Sequence, residues 1–298
     1  MSVYRIVDFS LRLHGEWLNS MDGLPLFLAP DARDGDSCDM EISSVPVASL
    51  PLPSHPLFDG MLCHTIEEGH QDFCLCVPHV RCSARLRMDP SLRHGVLSYV
   101  EEEFPDAPGA VEILIETVLH LVFIQRKVLF LHSSAVLVDG GAIVFTAPSG
   151  TGKTTQANLW VKERNALVIN GDRPAIRPNQ KDEGYDVCGT PWSGSSCNYA
   201  NRAEPIRCVV LLEQASENRL MALTPQEAVK AVLPRVFLPY VDTALMPAAL
   251  AWISSFCQKV RFYRFGCLPD ATAVAALWKG ISELWSVASM AEENPEDT

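Results

Sequence analysis

Polar and apolar residues alternate along the first hundred positions of the chain, and the pattern changes after about position 110. The stretch "YRIVDFSLRL" has the two-residue period of a strand with one buried face. "HQDFCLCVPHVRCSARLRM" alternates again and predicts strands around Phe73 and Arg81. Pro- and Asp-rich breaks, "APDARDGDS" and "SLPLPSHP", interrupt these runs. Residues 1–107 therefore read as a mainly β domain, and "EEFPDAPGA" reads as the linker that follows it.

From Ala110 the apolar period becomes helical. Val111, Leu114, Ile115, Val118, Leu121 and Val122 share a broad face, which predicts a helix packed between other elements. Beyond it, "AIVFTA", "ALVIN" and "CVVLLEQ" are nearly continuous apolar runs, as in a sheet covered on both faces. Helical patterns intervene at "KTTQANLWVKER", "PQEAVKAVLPRV", "PAALAWISSFCQK" and "DATAVAALWKGISELWSVASM". Residues 108–290 thus predict an α/β domain. In the last helical pattern Trp278 and Trp285 stand seven apart, a packing stripe. The remainder, residues 291–298 ("AEENPEDT"), is acidic, lacks large apolar side chains and reads as disordered.

Composition narrows the function classes. A chain of 298 residues with 48% hydrophobic side chains can build its core without staples. The net charge of −12 argues against nucleic-acid or anionic-membrane partners. No run reaches the ~20 apolar residues needed to span a bilayer, and the N-terminus lacks the apolar core of a secretory signal. A cytoplasmic setting follows, with the ten cysteines mostly reduced. A homo-oligomer stays open.

The strongest chemical signal is "APSGTGKTT", which fits a phosphate-binding loop with Ala147 in place of the first glycine. An apolar strand leads in and a helical pattern leads out, the context this motif requires. Backbone N–H groups from Ser149, Gly150, Thr151, Gly152, Lys153, Thr154 and Thr155 are the expected anion ligands, helped by the positive end of the helix. Lys153 is suited to the β- and γ-phosphates of ATP, and the Thr154 hydroxyl to Mg²⁺. A Mg-nucleotide site also wants an acid at the end of a second strand, and "ALVINGD" supplies Asp172. Gly171 is expected to relax the backbone there. The plainer reading makes Asp172 a turn cap. Asp182 and Asp186 are weaker candidates in a polar loop.

"AVLVDGGAIVF" reads as a hairpin turning at Asp139–Gly140 or Gly140–Gly141. One register sets His132 opposite Ala147, the other opposite Ser149, so either folds His132 back toward the phosphate loop. All eight histidines lie at or before His132, which makes it the candidate histidine of this domain. The alternative is a partly buried strand histidine.

The order of His132 on an apolar strand, a Gly turn, the phosphate loop and "NGD" resembles the C-terminal domain of HPr kinase/phosphorylases, within the phosphoenolpyruvate-carboxykinase-like P-loop fold. The likeness covers about residues 128–177 well. It implies an ATP- and Mg²⁺-dependent kinase acting on a hydroxyl, with a serine-bearing protein, peptide or small molecule as acceptor. It further implies that His132, Lys153 and Asp172 are the catalytic residues, that Thr154 and Asp172 hold Mg²⁺, and that Asp172 is the general base positioned or tuned by His132. The chain departs from that family where it carries Gly171–Asp172 instead of paired acids, and where "VCGTPWSGSSCN" contains no acid. A carboxykinase-type lyase and a non-catalytic nucleotide sensor or assembly factor are the other readings.

Three further features bear on chemistry. Trp192 in "GTPWSG" is expected either to wall the acceptor site or to pack beneath a turn. Arg173, Arg177 and Arg202 are candidate phosphate clamps or ordinary structural arginines. Cys63, His64, His70, Cys74, Cys76, His79 and Cys82 include zinc-ligand types, but Cys74 and Cys76 share one strand face that suits a core.

Overall fold

A computed structural model describes residues 2–15, 23–32, 37–53, 57–59, 61–77, 81–103, 108–179, 183–240 and 242–283. The tail at 291–298, Trp285, His79, Asp182 and positions 104–107 of the expected linker lie outside them. The fold is mixed α/β with two sheets. The chain divides into two compact units, Met1–Arg126 with Leu238–Ala248, and Lys127–Phe237 with Ala249–Thr298.

The first unit carries β1 (Ser2–Ile6), β2 (Phe9–His14), β3 (Met40–Val47), β4 (Leu57–Asp59), β5 (Leu62–Glu67), β6 (His70–Val77), β7 (Arg81–Met88), β8 (His94–Val100) and α1 (Pro108–Gln125). The strands form one sheet in the order β1-β2-β3-β8-β7-β6-β5-β4. Its β1–β2 and β5–β6 hairpins close through Val7–Asp8 and Glu68–Gly69, all four residues at positive φ. Such turns match the right-handed twist of the flanking strands.

Helix α1 differs from expectation in its place. Sequence period puts a domain boundary at 107/108 and gives α1 to the second domain, whereas the compact unit keeps it with the first. The reason is what its apolar side covers. Leu114, Ile115, Val118, Leu119 and Leu121 are buried, α1 packs on β6 and β7, and Phe123 sets its ring edge-on to Phe9 at 5.2 Å.

Cys63, Cys74, Cys76 and Cys82 form one buried cluster beneath Leu50, with the Sγ atoms of Cys63 and Cys76 3.7 Å apart. His64 instead stacks on Phe73 at 4.8 Å. Among the described residues no group of three or more His, Cys, Asp or Glu side chains is arranged to hold a metal ion. The thiols fill this space as small hydrophobes.

The second unit carries β9 (Leu129–Phe130), β10 (Ser133–Val138), β11 (Gly141–Thr146), α2 (Lys153–Arg164), β12 (Leu167–Asn170), β13 (Ala175–Pro178), β14 (Tyr185–Cys188), β15 (Ala203–Gln214), β16 (Arg219–Ala222), α3 (Pro225–Val232), α4 (Met246–Lys259) from Ala249 onward, β17 (Arg261–Cys267) and α5 (Ala271–Ile281). Strand β15 joins two halves of the sheet. Its first residues pair antiparallel with β14, and the rest pair parallel with β11 and β17. Every residue of β11 is buried, as expected for a strand covered on both faces. Strand β12 lies at the end of the strand order, and Leu167 is exposed there.

The hairpin β10–β11 turns at Asp139–Gly140, with φ of 45° and 73°. Val138 pairs with Gly141 and Ser133 with Thr146, which is the register that sets His132 across from Ala147. Helix α2 packs on β10, β11 and β12 through Ala157 and Trp160. The Trp160 ring meets Phe145 and Trp278, each at 6.1 Å, and the Arg164 guanidinium lies 4.0 Å over Trp278. This core fixes the position of the loop between β11 and α2. No helix among the described residues is long and apolar enough to cross a membrane.

Candidate active site

The loop from Ala147 to Gly152 leaves the buried end of β11 and enters α2. Gly150 and Gly152 take φ of 76° and 114°, the left-handed region that side chains disfavour. Gly152 is the N-cap of α2 and provides no side-chain cap. The N–H groups of the first turn are therefore left to a ligand. This geometry suits a phosphate chain.

Lys153 opens α2 and folds back over the loop. It is buried, and its Nζ reaches His132 Nε2 at 3.1 Å and the Ala147 carbonyl at 3.4 Å. Burial depresses its pKa, the positive charge of Arg235 depresses it further, and the negative charge of Asp172 opposes both. Its hydrogen-bond partners are a ring nitrogen and a carbonyl, and a phosphate would add negative charge to that of Asp172.

His132 lies between β9 and β10. Its N–H donates to the Arg235 carbonyl at 2.8 Å, and its carbonyl accepts from Thr146 Oγ1 at 3.0 Å. Its Nε2 is 3.1 Å from Asp172 Oδ1. Asp172 follows β12 and is tied to the same place, because its carbonyl accepts from the Ser133 N–H at 2.9 Å. Its Oδ2 accepts from Arg173 Nε at 3.2 Å. Burial alone would raise the Asp172 pKa. The hydrogen bond from His132, with the charges of His132, Arg173 and Lys153, outweighs burial and holds the carboxyl below its ordinary value.

The structure thus brings His132, Lys153 and Asp172 together. They face a cleft of about 290 Å³ that Ser149, Gly150, Gly152, Thr154 and Thr155 also line. Thr151 instead lines an adjoining hollow of about 470 Å³, which shares Ser149 and Gly150 with the cleft and reaches Leu211, Glu213 and Arg235. For a Mg-nucleotide, the open N-terminus of α2 and Lys153 fit the phosphates. Thr154 and Asp172 are the oxygen donors that fit Mg²⁺.

Several expectations change in detail. Trp192 does not wall the cleft, since it is buried with its ring 6.0 Å from Phe130. Ser193, Ser195 and Ser196 form that wall instead. Gly171 does not need positive φ. Any Cβ there would come within 1.9 Å of Ser196 Oγ, so the glycine permits close approach. Of the arginines, Arg173 reaches Asp172, whereas Arg177 pairs with Asp186 and Arg202 with Glu204.

Asn170 is the residue whose role the sequence hid. It is fully buried. Its Oδ1 accepts from the N–H groups of Asp172 and Arg173, at 2.9 and 2.8 Å. Its Nδ2 donates to the carbonyls of Thr190 and Trp192, at 3.0 and 3.1 Å. One side chain therefore fastens the Asp172 turn to the serine loop. The signal available in sequence was only an Asn before a glycine at a strand end.

No family model and no curated protein matches the chain. Among solved structures, it is similar to the Hpr(Ser) kinase/phosphatase from Coxiella burnetii, with a TM-score of 0.33 and 8% identity over 56% of this chain and 99% of that one. A likeness of this degree leaves function to be argued from the chain's own residues.

Proposed function

We propose that the second unit is a P-loop kinase domain of the carboxykinase-like kind. It would use ATP and Mg²⁺ to transfer the γ-phosphoryl group to a hydroxyl, a serine of a protein, peptide or free amino acid, in the cytoplasm and without nucleic-acid or membrane partners. The observation that carries this reading is the line Lys153–His132–Asp172, with both links at 3.1 Å, beside an uncapped phosphate loop.

In this reading the loop N–H groups and Lys153 hold the phosphates, and the larger hollow takes the nucleoside. Mg²⁺, held by Thr154 and Asp172, would neutralise charge on the transferring group. Asp172 accepts the proton of the attacking hydroxyl. Its pKa lies below the ordinary carboxyl value, so it is ionised at neutral pH. His132 Nε2 carries at most one hydrogen and cannot satisfy both neighbours. When a phosphate draws Lys153 away, Nε2 is free to bear a proton and donate to Asp172. Nucleotide binding and the setting of the base are then one event.

Labelled ATP incubated with Mg²⁺ and a library of serine-containing acceptors should give phosphoserine, and Asp172→Asn should slow it by about 10²–10⁴. Transfer at an unchanged rate in that variant would overturn the assigned base. A nucleotide sensor has one observation in its favour, that Asp172 is the sole carboxylate lining the cleft among the described residues. Tight Mg-ATP binding with neither transfer nor hydrolysis would support it.

A further inference from the structure

The wall facing the phosphate loop is made of this chain's own serines, and they are not equivalent. Ser196 Oγ donates to the Ser193 carbonyl at 2.6 Å, so its hydroxyl holds the loop together. Ser193 is 3% exposed and its Oγ has no hydrogen-bond partner. A buried hydroxyl without a partner is unfavourable, and Ser193 is among the residues that line the cleft. Ser195 is exposed on the same wall.

Between these residues, Gly194 leaves room for the Asp172 carboxylate. A Cβ at Gly194 would lie 2.7 Å from Asp172 Oδ2, and φ there is 55°. The residue before Ser195 therefore has no room for a side chain beside the group assigned as the base.

We propose that Ser195 is itself a phosphoryl acceptor, modified in cis by this site. The inference rests on the kinase reading above. Ser195 Oγ forms a bond to the γ-phosphorus of ATP, the bond from that phosphorus to the bridging oxygen breaks, and ADP leaves with its electron pair. The hydroxyl proton passes to the Asp172 carboxylate. A hydroxyl tethered in the cleft has a high effective concentration, so no acceptor need be captured from solution. The product carries about −1.5 to −2 charge at neutral pH. Its oxygens satisfy Ser193 Oγ and Lys153, and it fills the place an external hydroxyl would take. The modified chain is thus self-blocked toward other acceptors.

The test is to incubate the purified full chain with Mg²⁺ and γ-labelled ATP, without acceptor, and to map the label by peptide mass spectrometry. One phosphoryl group per chain on Ser195 is expected, at a rate independent of protein concentration. Ser195→Ala should lose the label, and Ser195→Thr should regain it as phosphothreonine. Label on another residue, or a rate proportional to protein concentration, would overturn the proposal. So would an unlabelled Ser195 in a preparation that hydrolyses ATP or phosphorylates an added serine peptide, and in that case the kinase reading stands. If the chain neither binds nor turns over ATP, the kinase reading itself fails and this proposal with it.

Discussion

Asp172 Oδ1 lies 3.1 Å from His132 Nε2, and this contact does more than any other single bond to keep the carboxyl ionised. Its removal has a defined sign. A carboxyl depressed in the folded state contributes stability that is full above the unfolded value of ~3.9 and is lost as pH falls through the folded value. His132→Ala should therefore shift the Asp172 titration to higher pH, with the acid limb of any transfer activity moving the same way. Carboxyl-carbon NMR titration of wild type and variant measures the first, and a pH–rate profile the second.

Replacing Asp172 by Asn keeps the shape of the side chain but removes the proposed proton acceptor. Transfer should fall by about 10²–10⁴. Single-turnover kinetics with saturating Mg-ATP separates this loss of chemistry from weaker binding.

Gly194→Ala tests how tightly the serine loop and the base are fitted. Alanine is strained at φ 55°, and its Cβ meets the Asp172 carboxylate. The strain costs about 1–2 kcal/mol, read as a lowered urea midpoint. A displaced base costs more in rate, about 100-fold for a shift near 1 Å.

Asn170→Ala removes the clamp between the Asp172 turn and the serine loop. Two N–H groups and the Thr190 carbonyl lose this partner, and the Trp192 carbonyl keeps only Thr190 Oγ1. Stability should fall by about 3 kcal/mol, measured by urea denaturation. Transfer should be lost with it, although Asn170 does not line the cleft.

What the sequence made legible is what local rules govern. The passage from strand through glycine loop to helix at Gly141–Arg164 declares itself through glycine spacing and its flanks. The Asp139–Gly140 turn forces the hairpin register, and with it the place of His132. What stayed hidden depends on partners distant in sequence. Helix α1 is apolar enough to serve either unit, and only its packing on β6 and β7 decides. Trp192 is turned inward because Asn170 fixes the carbonyls on either side of Pro191, which no periodicity encodes. The close fit of Ser196 against Gly171 and of Gly194 against Asp172 likewise joins residues more than twenty positions apart.

The β10–β11 hairpin acts as a ruler with its zero at the far end from the chemistry. From the Asp139–Gly140 turn, the chain counts back along one arm to His132 and forward along the other to the phosphate loop. An inserted residue in one arm would slide the two counts against each other and carry the imidazole to the wrong face. Growth or loss in this hairpin is therefore tolerable only when both arms change together and in steps of two. Length differences among chains built on this plan should accordingly collect elsewhere, in segments whose ends do not both terminate at the cleft.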